Sequence, residues 1–207
     1  GAFWAAGQNC IGVLRIYIHR DAYERFKAMV VERTKAYRIG NKLDESTDMG
    51  PMINEGEARR VERWVQQAVA MGATVLSGGG RKGALMEPTV LENVPAEATI
   101  HHQEVFGPTV NLYPVDDLEQ AVAAANSVDY GLHAAAFSRD VATCHRLIDG
   151  LDAGSVLIND STDYRLDSMP FGGIKKSGLG REGIRFSLAE MTEPKVVCWY
   201  LPGLRTR

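Results

Sequence analysis

The sequence of 207 residues lacks long hydrophobic runs: no apolar stretch reaches the roughly 18 residues of a membrane-spanning helix. Its first ten residues have neither the basic start nor the long apolar segment of a signal peptide. A basic run suited to nucleic acid is also missing, since 23 Lys and Arg residues stand against 26 Asp and Glu residues. These absences predict a cytoplasmic protein that binds neither membranes nor nucleic acid.

Cysteine and histidine are scarce, and their spacing is uninformative. The three cysteines cannot all pair and show no CxxC spacing, which argues against a disulfide framework and against a zinc site. Among the five histidines, His101 and His102 are adjacent and so are poorly placed to share one metal ion. We therefore expect no metal.

What the sequence does contain is typical of one globular domain, or at most two small ones. Hydrophobic residues make up 45% and charged residues 24% of the chain, enough for an ordinary apolar core. Segments in which apolar residues recur at strand spacing alternate along the chain with segments in which they recur at helix spacing. Strands are predicted at 13–18, 74–76, 88–91, 109–115, 133–137 and 155–159, and helices at 21–37, 55–71, 117–126 and 140–149.

This order of elements predicts an α/β fold with a mainly parallel sheet and helices on both faces. Residues 160–180 are rich in Gly, Ser and Pro, which indicates a long functional loop. The alternating segment 195–201 predicts a last strand that pairs with another subunit in a homo-oligomer. We accordingly divide the chain into an α/β domain at 1–193 and an oligomerisation strand and tail at 194–207.

Two glycine clusters are interpreted as structural. Gly178, Gly180 and Gly183 match G-x-G-x-x-G, but a loop precedes them and no acidic residue follows at the distance that a dinucleotide-binding fingerprint requires. Residues 78–80 lack the Lys-Ser/Thr of a phosphate-binding loop and predict a turn. Neither cluster is therefore assigned to a nucleotide.

Cys10 is the cysteine whose surroundings allow chemistry. A single cysteine is usually a small buried hydrophobe, yet the residues around Cys10 are small or amide-bearing and would leave its sulfur accessible. Cys144 and Cys198 fall on apolar positions of a predicted helix and a predicted strand, so we interpret both as packing residues. On local chemistry alone, both interpretations of Cys10 stay open.

The sequence around Cys10 resembles the cysteine signature of the NAD(P)-dependent aldehyde dehydrogenase superfamily. Four further segments resemble motifs of that family in the same order, so that the resemblance covers nearly all of the chain. The five segments are 7–15 (GQNCIGVLR), 103–108 (QEVFGP), 126–132 (NSVDYGL), 154–159 (GSVLIN) and 170–182 (PFGGIKKSGLGRE).

The resemblance implies roles for matching residues. Cys10 would be the nucleophile, with its backbone N–H stabilising the oxyanion formed from an aldehyde substrate. Glu104 would accept hydrogen bonds from the nicotinamide ribose of NAD or NADP, and Phe106 would lie beside the nicotinamide ring. The alternative for Glu104 is a solvated carboxylate before a Gly-Pro turn.

Two further residues carry weaker hypotheses. Glu182 matches a position suited to an auxiliary base or proton relay, and it could equally stabilise the start of a helix. Arg165 falls in the region that lines the substrate entrance of the family, where a guanidinium would bind a small anionic aldehyde such as a semialdehyde. Alternatively, Arg165 pairs at the surface with Asp163 or Asp167.

The chain also departs from the family pattern. The family's Rossmann-type coenzyme domain, which supplies a catalytic glutamate and an oxyanion asparagine, has no counterpart here, and we expect a catalytic-domain fragment that is inactive by itself. A second hypothesis is an assembly module without chemistry. A third, a Cys/His amidase, would need His19, which lies nine residues from Cys10 at the far end of a strand.

Overall fold

The structure, a computed structural model, describes residues 1–203. Its ten strands and six α-helices alternate along most of the chain. In chain order they are β1 (Arg15–His19), α1 (Arg20–Lys35), α2 (Glu55–Ala70), β2 (Thr74–Ser77), β3 (Arg81–Lys82), β4 (Leu85–Met86), β5 (Thr89–Glu92), α3 (Thr99–His102), β6 (Thr109–Val115), α4 (Leu118–Asn126), β7 (Tyr130–Gly131), β8 (His133–Ala136), α5 (Val141–Gly150), β9 (Ser155–Ile158), β10 (Ile174–Lys175) and α6 (Ile184–Glu190).

The main sheet has four strands in the order β1-β6-β5-β2. β1, β6 and β5 run parallel, whereas β2 is antiparallel to β5. The antiparallel pairing follows from the connection, because β2 and β5 are joined by the β3–β4 hairpin instead of a helical crossover. Helix α1 packs against all four strands, and α4 packs against β1 and β6.

β6 is the central strand of the parallel part, and its side chains are buried along most of its length. A strand covered on both faces is buried at consecutive residues, as this one is from 109 to 112, where the polar residues Thr109 and Asn111 are buried as well. Val110 and Leu112 of β6 join Val90 and Leu91 of β5 in the core. The core therefore sits on β6, which directly follows residues 103–108, and on β5, which α3 separates from them.

Helix α2 is amphipathic and its apolar stripe faces the core. Ala58, Val61, Val65 and Ala68 are buried at helical spacing. The helix begins after Asn54, whose side chain accepts a hydrogen bond from the backbone N–H of Glu57 (2.9 Å). The opposite, charged face of α2 presents arginines to solvent and to neighbouring loops.

A second parallel unit stands apart from the main sheet. β8 and β9 pair in parallel and are connected by α5, while β7 pairs with β10 in a two-residue antiparallel ladder. The elements of the prediction are confirmed to within about two residues at their ends, and the α/β class with a parallel-rich sheet is confirmed. The strands are, however, divided between separate sheets, a division that periodicity does not reveal.

The C-terminal segment is predicted to pair with another subunit, and within the described chain no residue from 193 to 201 lies in a strand. Cys198 is exposed on this segment, so its packing role depends on that pairing, whereas Cys144 is half-buried as expected. A single 3₁₀ turn, Trp4–Gly7, precedes Cys10. The subunit pairing of 195–201 stays a prediction, and residues 204–207 of the predicted tail lie outside the described residues.

Gly78 and Gly79 form the predicted turn with positive φ angles of 73° and 93°.

Within residues 1–203, no helix combines the length and apolar character needed to cross a bilayer. The same part of the chain holds no group of three or more His, Cys, Asp or Glu side chains arranged to hold a metal ion.

We predict that Leu112→Ala destabilises the chain by about 2–5 kcal/mol, because Leu112 is fully buried on the central strand and its truncation leaves a cavity. Leu43→Ala is the matched control, since Leu43 is 84% exposed and its replacement should change the free energy of unfolding by less than about 0.5 kcal/mol. Urea unfolding measures both changes. Equal effects would contradict the assignment of the core to β5 and β6.

Candidate active site

Cys10 lies on an exposed loop between the Trp4–Gly7 turn and β1. The loop is held by its neighbours: the Gln8 side-chain oxygen accepts a hydrogen bond from the backbone N–H of Ile53 (2.8 Å), and the Asn9 amide donates to the carbonyl of Trp4 (3.5 Å). The thiol is therefore accessible on an anchored backbone.

A glycine contact joins this loop to residues 104–108. Gly7 has a φ of +69°, and a Cβ added to it would lie 2.1 Å from the carbonyl oxygen of Gly107. Only glycine fits, because both the conformation and the space exclude a side chain. The contact brings the loop that bears Cys10 against the segment that bears Glu104 and Phe106.

Glu104 is half-buried, and its carboxylate makes no hydrogen bond or ion pair within residues 1–203. Burial raises the pKa of Glu104 above its ordinary value, because desolvation disfavours the charged form. A partly desolvated carboxylate without a partner can accept two hydrogen bonds from a vicinal diol. Phe106, two residues further on, exposes 40% of its surface and has a positive φ of 45°.

The helix before Glu104 is fixed to the central strand. The buried Asn111 amide donates to the carbonyl of Ile100 in α3 (3.1 Å), and His101 Nδ1 lies 2.7 Å from the Tyr113 hydroxyl. Asn111 and Tyr113 both lie on β6. Glu104 thus follows a short helix whose position is set by the core.

The loop predicted to form the entrance is also joined to the Cys10 segment. The Thr162 hydroxyl donates to the carbonyl of Ile11 at 2.5 Å, and His133 Nδ1 lies 2.8 Å from the carbonyl of Thr162. Neither Thr162 nor His133 was a candidate from the sequence, because a lone threonine in a polar loop carries no local signal of a long-range contact.

Arg165 and Glu182 are brought together. The Arg165 guanidinium donates to the Glu182 carboxylate at 2.7 Å and stacks over the Phe171 ring, with 3.9 Å from the guanidinium carbon to the ring centroid. Phe171 and Glu182 also exchange two backbone hydrogen bonds (2.9 and 2.7 Å). The partner of Arg165 is therefore Glu182 rather than Asp163 or Asp167.

The pairing with Arg165 also decides between Glu182 as a partner of Arg165 and Glu182 as a residue that stabilises the start of a helix. Helix α6 begins at Ile184 after Gly183, and no side chain caps its start. The Glu182 carboxylate is engaged by Arg165 instead of by the helix N-terminus. The two residues and Phe171 form one exposed cluster at the end of the loop.

His19 is excluded as a partner for Cys10. It lies at the far end of β1, where its ring nitrogen Nδ1 accepts a hydrogen bond from the backbone N–H of Asp21 (3.4 Å) and caps α1. A histidine used as a helix cap at the opposite end of the strand explains its presence without catalysis.

Comparison with known proteins identifies the family. The sequence profile of the aldehyde dehydrogenase family matches residues 1–197. The chain belongs to this family. It is 48% identical over 203 residues to aspartate-semialdehyde dehydrogenase 1 of Pseudomonas canavaninivorans. The match covers 98% of this chain and 43% of that protein.

Solved aldehyde dehydrogenases share the fold. Aldehyde dehydrogenase 21 of Physcomitrella patens, in complex with the reaction product succinate, has a TM-score of 0.95 at 41% identity over 98% of this chain and 42% of its own. Glyceraldehyde-3-phosphate dehydrogenase of Methanocaldococcus jannaschii DSM 2661, complexed with NADP, has a TM-score of 0.88 at 41% identity over 92% of this chain and 41% of its own. The chain thus spans about two fifths of the length of these relatives.

We predict that Glu104→Gln raises the melting temperature of the chain at pH 7. With its pKa raised by folding, Glu104 binds its proton more tightly in the folded state, so its ionised form destabilises the fold at every pH above the folded pKa. The difference between the two proteins should shrink as the pH falls to the ordinary glutamate pKa of about 4.3 and below. Thermal unfolding from pH 4 to 8 measures it, and a lower melting temperature for the variant at pH 7 would contradict an unpartnered carboxylate.

Proposed function

We propose that the chain is the catalytic domain of an NAD(P)-dependent aldehyde dehydrogenase that oxidises an aldehyde to a carboxylic acid through Cys10. The observation that carries the proposal is the Gly7–Gly107 contact, which sets an exposed thiol beside a segment with an unpartnered, half-buried carboxylate. Family membership supports aldehyde oxidation as the class of reaction.

The Cys10 sulfur, as thiolate, would add to the aldehyde carbon while the carbonyl electrons move onto oxygen. The backbone N–H of Cys10 would donate to that oxygen and stabilise its charge. Loss of the hydrogen from carbon as a hydride, for which a bound nicotinamide would be the acceptor, would restore the carbonyl and leave a thioester on Cys10. Water then attacks the thioester, and the sulfur leaves as thiolate, so that the acid is released and the thiol is regenerated.

Residues 104–106 fit a nicotinamide coenzyme. A half-buried carboxylate without a partner suits the two hydroxyls of a ribose, and an exposed aromatic ring suits a planar heterocycle. We propose that Glu104 and Phe106 hold NAD or NADP in this way. When bound, the coenzyme accepts the hydride. The NADP complex of the Methanocaldococcus relative supports this choice.

The substrate we propose is a small anionic aldehyde. The Arg165 guanidinium sits at the exposed end of the loop that contacts the Cys10 segment through Thr162. Three similar proteins are named for, or were solved with, anionic compounds: an aspartate semialdehyde, succinate and glyceraldehyde-3-phosphate. A guanidinium binds carboxylate and phosphate oxygens with charge-assisted hydrogen bonds.

The second candidate function is an assembly module without chemistry. It is favoured by the exposed apolar side chains of the segment 195–201, where Val196, Trp199 and Tyr200 are all more than four-fifths exposed. Aromatic residues at that exposure are typical of an interface. The two candidates differ in whether Cys10 is needed for turnover.

We predict that Cys10→Ala abolishes oxidation, lowering kcat by at least about a thousandfold, because the nucleophile is removed. The test uses a hybrid enzyme in which residues 1–197 replace the matching part of the Pseudomonas semialdehyde dehydrogenase; NAD(P)H formation is followed by absorbance. The chain by itself should form none. Cys144→Ala is the matched control and should retain activity, since Cys144 is half-buried on α5.

A hybrid that folds, judged by its melting temperature and size, yet forms no NAD(P)H would favour the assembly module. Activity that survives Cys10→Ala would contradict the proposed mechanism directly, because neither of the other cysteines lies on this loop.

We predict that Arg165→Ala in the hybrid raises KM for a semialdehyde about tenfold and leaves KM for a neutral aldehyde of equal length unchanged, because a charge-assisted hydrogen bond is lost. Arg185→Ala is the control, since Arg185 is an exposed arginine of α6. Equal KM shifts for both aldehydes in Arg165→Ala would contradict the proposal of an anionic substrate.

Glu182→Gln separates the two roles considered for Glu182. A fall in kcat for both aldehydes indicates a proton relay, and a change in KM for the semialdehyde alone indicates positioning of Arg165.

A further inference from the structure

Phe106 carries an unusual backbone in an exposed position. Its φ of 45° lies in the left-handed region, which is unfavourable for a bulky aromatic residue. Phe106 exposes 40% of its surface, so packing anchors its side chain only in part. The conformation must therefore be imposed by the residues on either side, Val105 and Gly107, both of which are buried.

Helix α2 contacts both of these neighbours with consecutive residues. The Arg60 guanidinium donates through Nη2 to the carbonyl oxygen of Val105 at 2.7 Å. Gly107 packs on Val61 so closely that a Cβ added at Gly107 would lie 2.5 Å from Val61 Cγ2. The helix thus holds the chain immediately before and immediately after Phe106.

Arg60 is itself fixed by two further interactions. Its Nε donates to the Glu57 carboxylate at 2.7 Å, and its guanidinium lies over the Trp64 ring, with 4.6 Å between the guanidinium carbon and the ring centroid. One planar group therefore meets a carboxylate, an aromatic face and a backbone carbonyl at once. A lysine ammonium cannot reproduce this combination, because it has neither the plane nor the fork of donors.

Arg59 shows what an ordinary arginine of α2 does. It pairs with Glu55 one turn earlier and its side chain is 59% exposed, whereas the Arg60 side chain is 21% exposed. An exposed pair of this kind within one helix adds little to stability. The contact of Arg60 with Val105 joins α2 to another segment of the chain, so it can fix the position of that segment. The Arg59 pair stays within α2 and cannot do so.

We infer that Arg60 is a positioning residue that sets the orientation of Glu104 and Phe106 toward the coenzyme by binding the Val105 carbonyl. The inference rests on the proposed function for its link to the coenzyme. Its structural part, the clamp on residues 104–106, can be tested in the chain itself.

The structural test uses a labelling pattern that reports on one carbonyl. Val105–Phe106 is the only Val-Phe pair in the sequence, so carbon-13 at valine carbonyls and nitrogen-15 at phenylalanine amides yield one carbonyl-to-amide NMR signal. Loss of the Arg60 hydrogen bond should move the Val105 carbonyl resonance upfield in Arg60→Met and in Arg60→Lys. Arg59→Met is the control and should leave the resonance in place.

The functional test measures the same substitutions in the hybrid enzyme. Arg60→Met should raise KM for the coenzyme about tenfold, the size expected for losing a hydrogen bond to a charged group, while kcat stays within about twofold. Arg60→Lys should give an intermediate KM. Arg59→Met should change neither constant.

An unmoved carbonyl resonance in both Arg60 variants would overturn the inference, as would an equal shift in Arg59→Met, because either result places the effect outside the Arg60–Val105 bond. A shifted resonance with an unchanged coenzyme KM also overturns it. If even the unsubstituted hybrid forms no NAD(P)H, the proposed function fails, and the carbonyl resonance alone then decides whether Arg60 holds residues 104–106.

Discussion

The site depends on one close approach of two backbones, that of Gly7 to the carbonyl of Gly107. A side chain at Gly7 would overlap the Gly107–Pro108 peptide, so the approach exists only because residue 7 is glycine. Pro108 in turn accepts a hydrogen bond from the backbone N–H of Thr89 at the start of β5 (2.8 Å). The loop of Cys10 is therefore set directly against the edge of the core.

The residues around this contact have features that packing alone does not favour. Glu104 keeps a carboxylate half-buried without a partner, Phe106 holds a left-handed backbone with an exposed ring, and Cys10 leaves its thiol accessible. Such features persist where the surrounding structure outweighs their cost, and they are typical of sites that meet a ligand. Here the surrounding structure is α2 on one side and the Asn111 and Tyr113 contacts of β6 on the other.

The second half of the proposed site is built differently. The loop after β9 is hydrogen-bonded to the Cys10 segment through Thr162, and it also carries the cluster of Arg165, Phe171 and Glu182. A guanidinium held by one carboxylate and one aromatic ring is ordered yet open to solvent.

The sequence by itself determined the elements and the family. Helix α2 was predictable because its apolar residues recur at helical spacing, and β6 because it is rich in residue types that favour strands; both patterns are local in the sequence. The motif around Cys10 and the segment QEVFGP were likewise contiguous in sequence. Tertiary structure alone decided the separation of β8 and β9 from the main sheet, the pairing of Arg165 with Glu182 and the hold of Arg60 on Val105. These depend on which distant segments the fold brings within hydrogen-bonding distance, and neither propensity nor spacing carries that information.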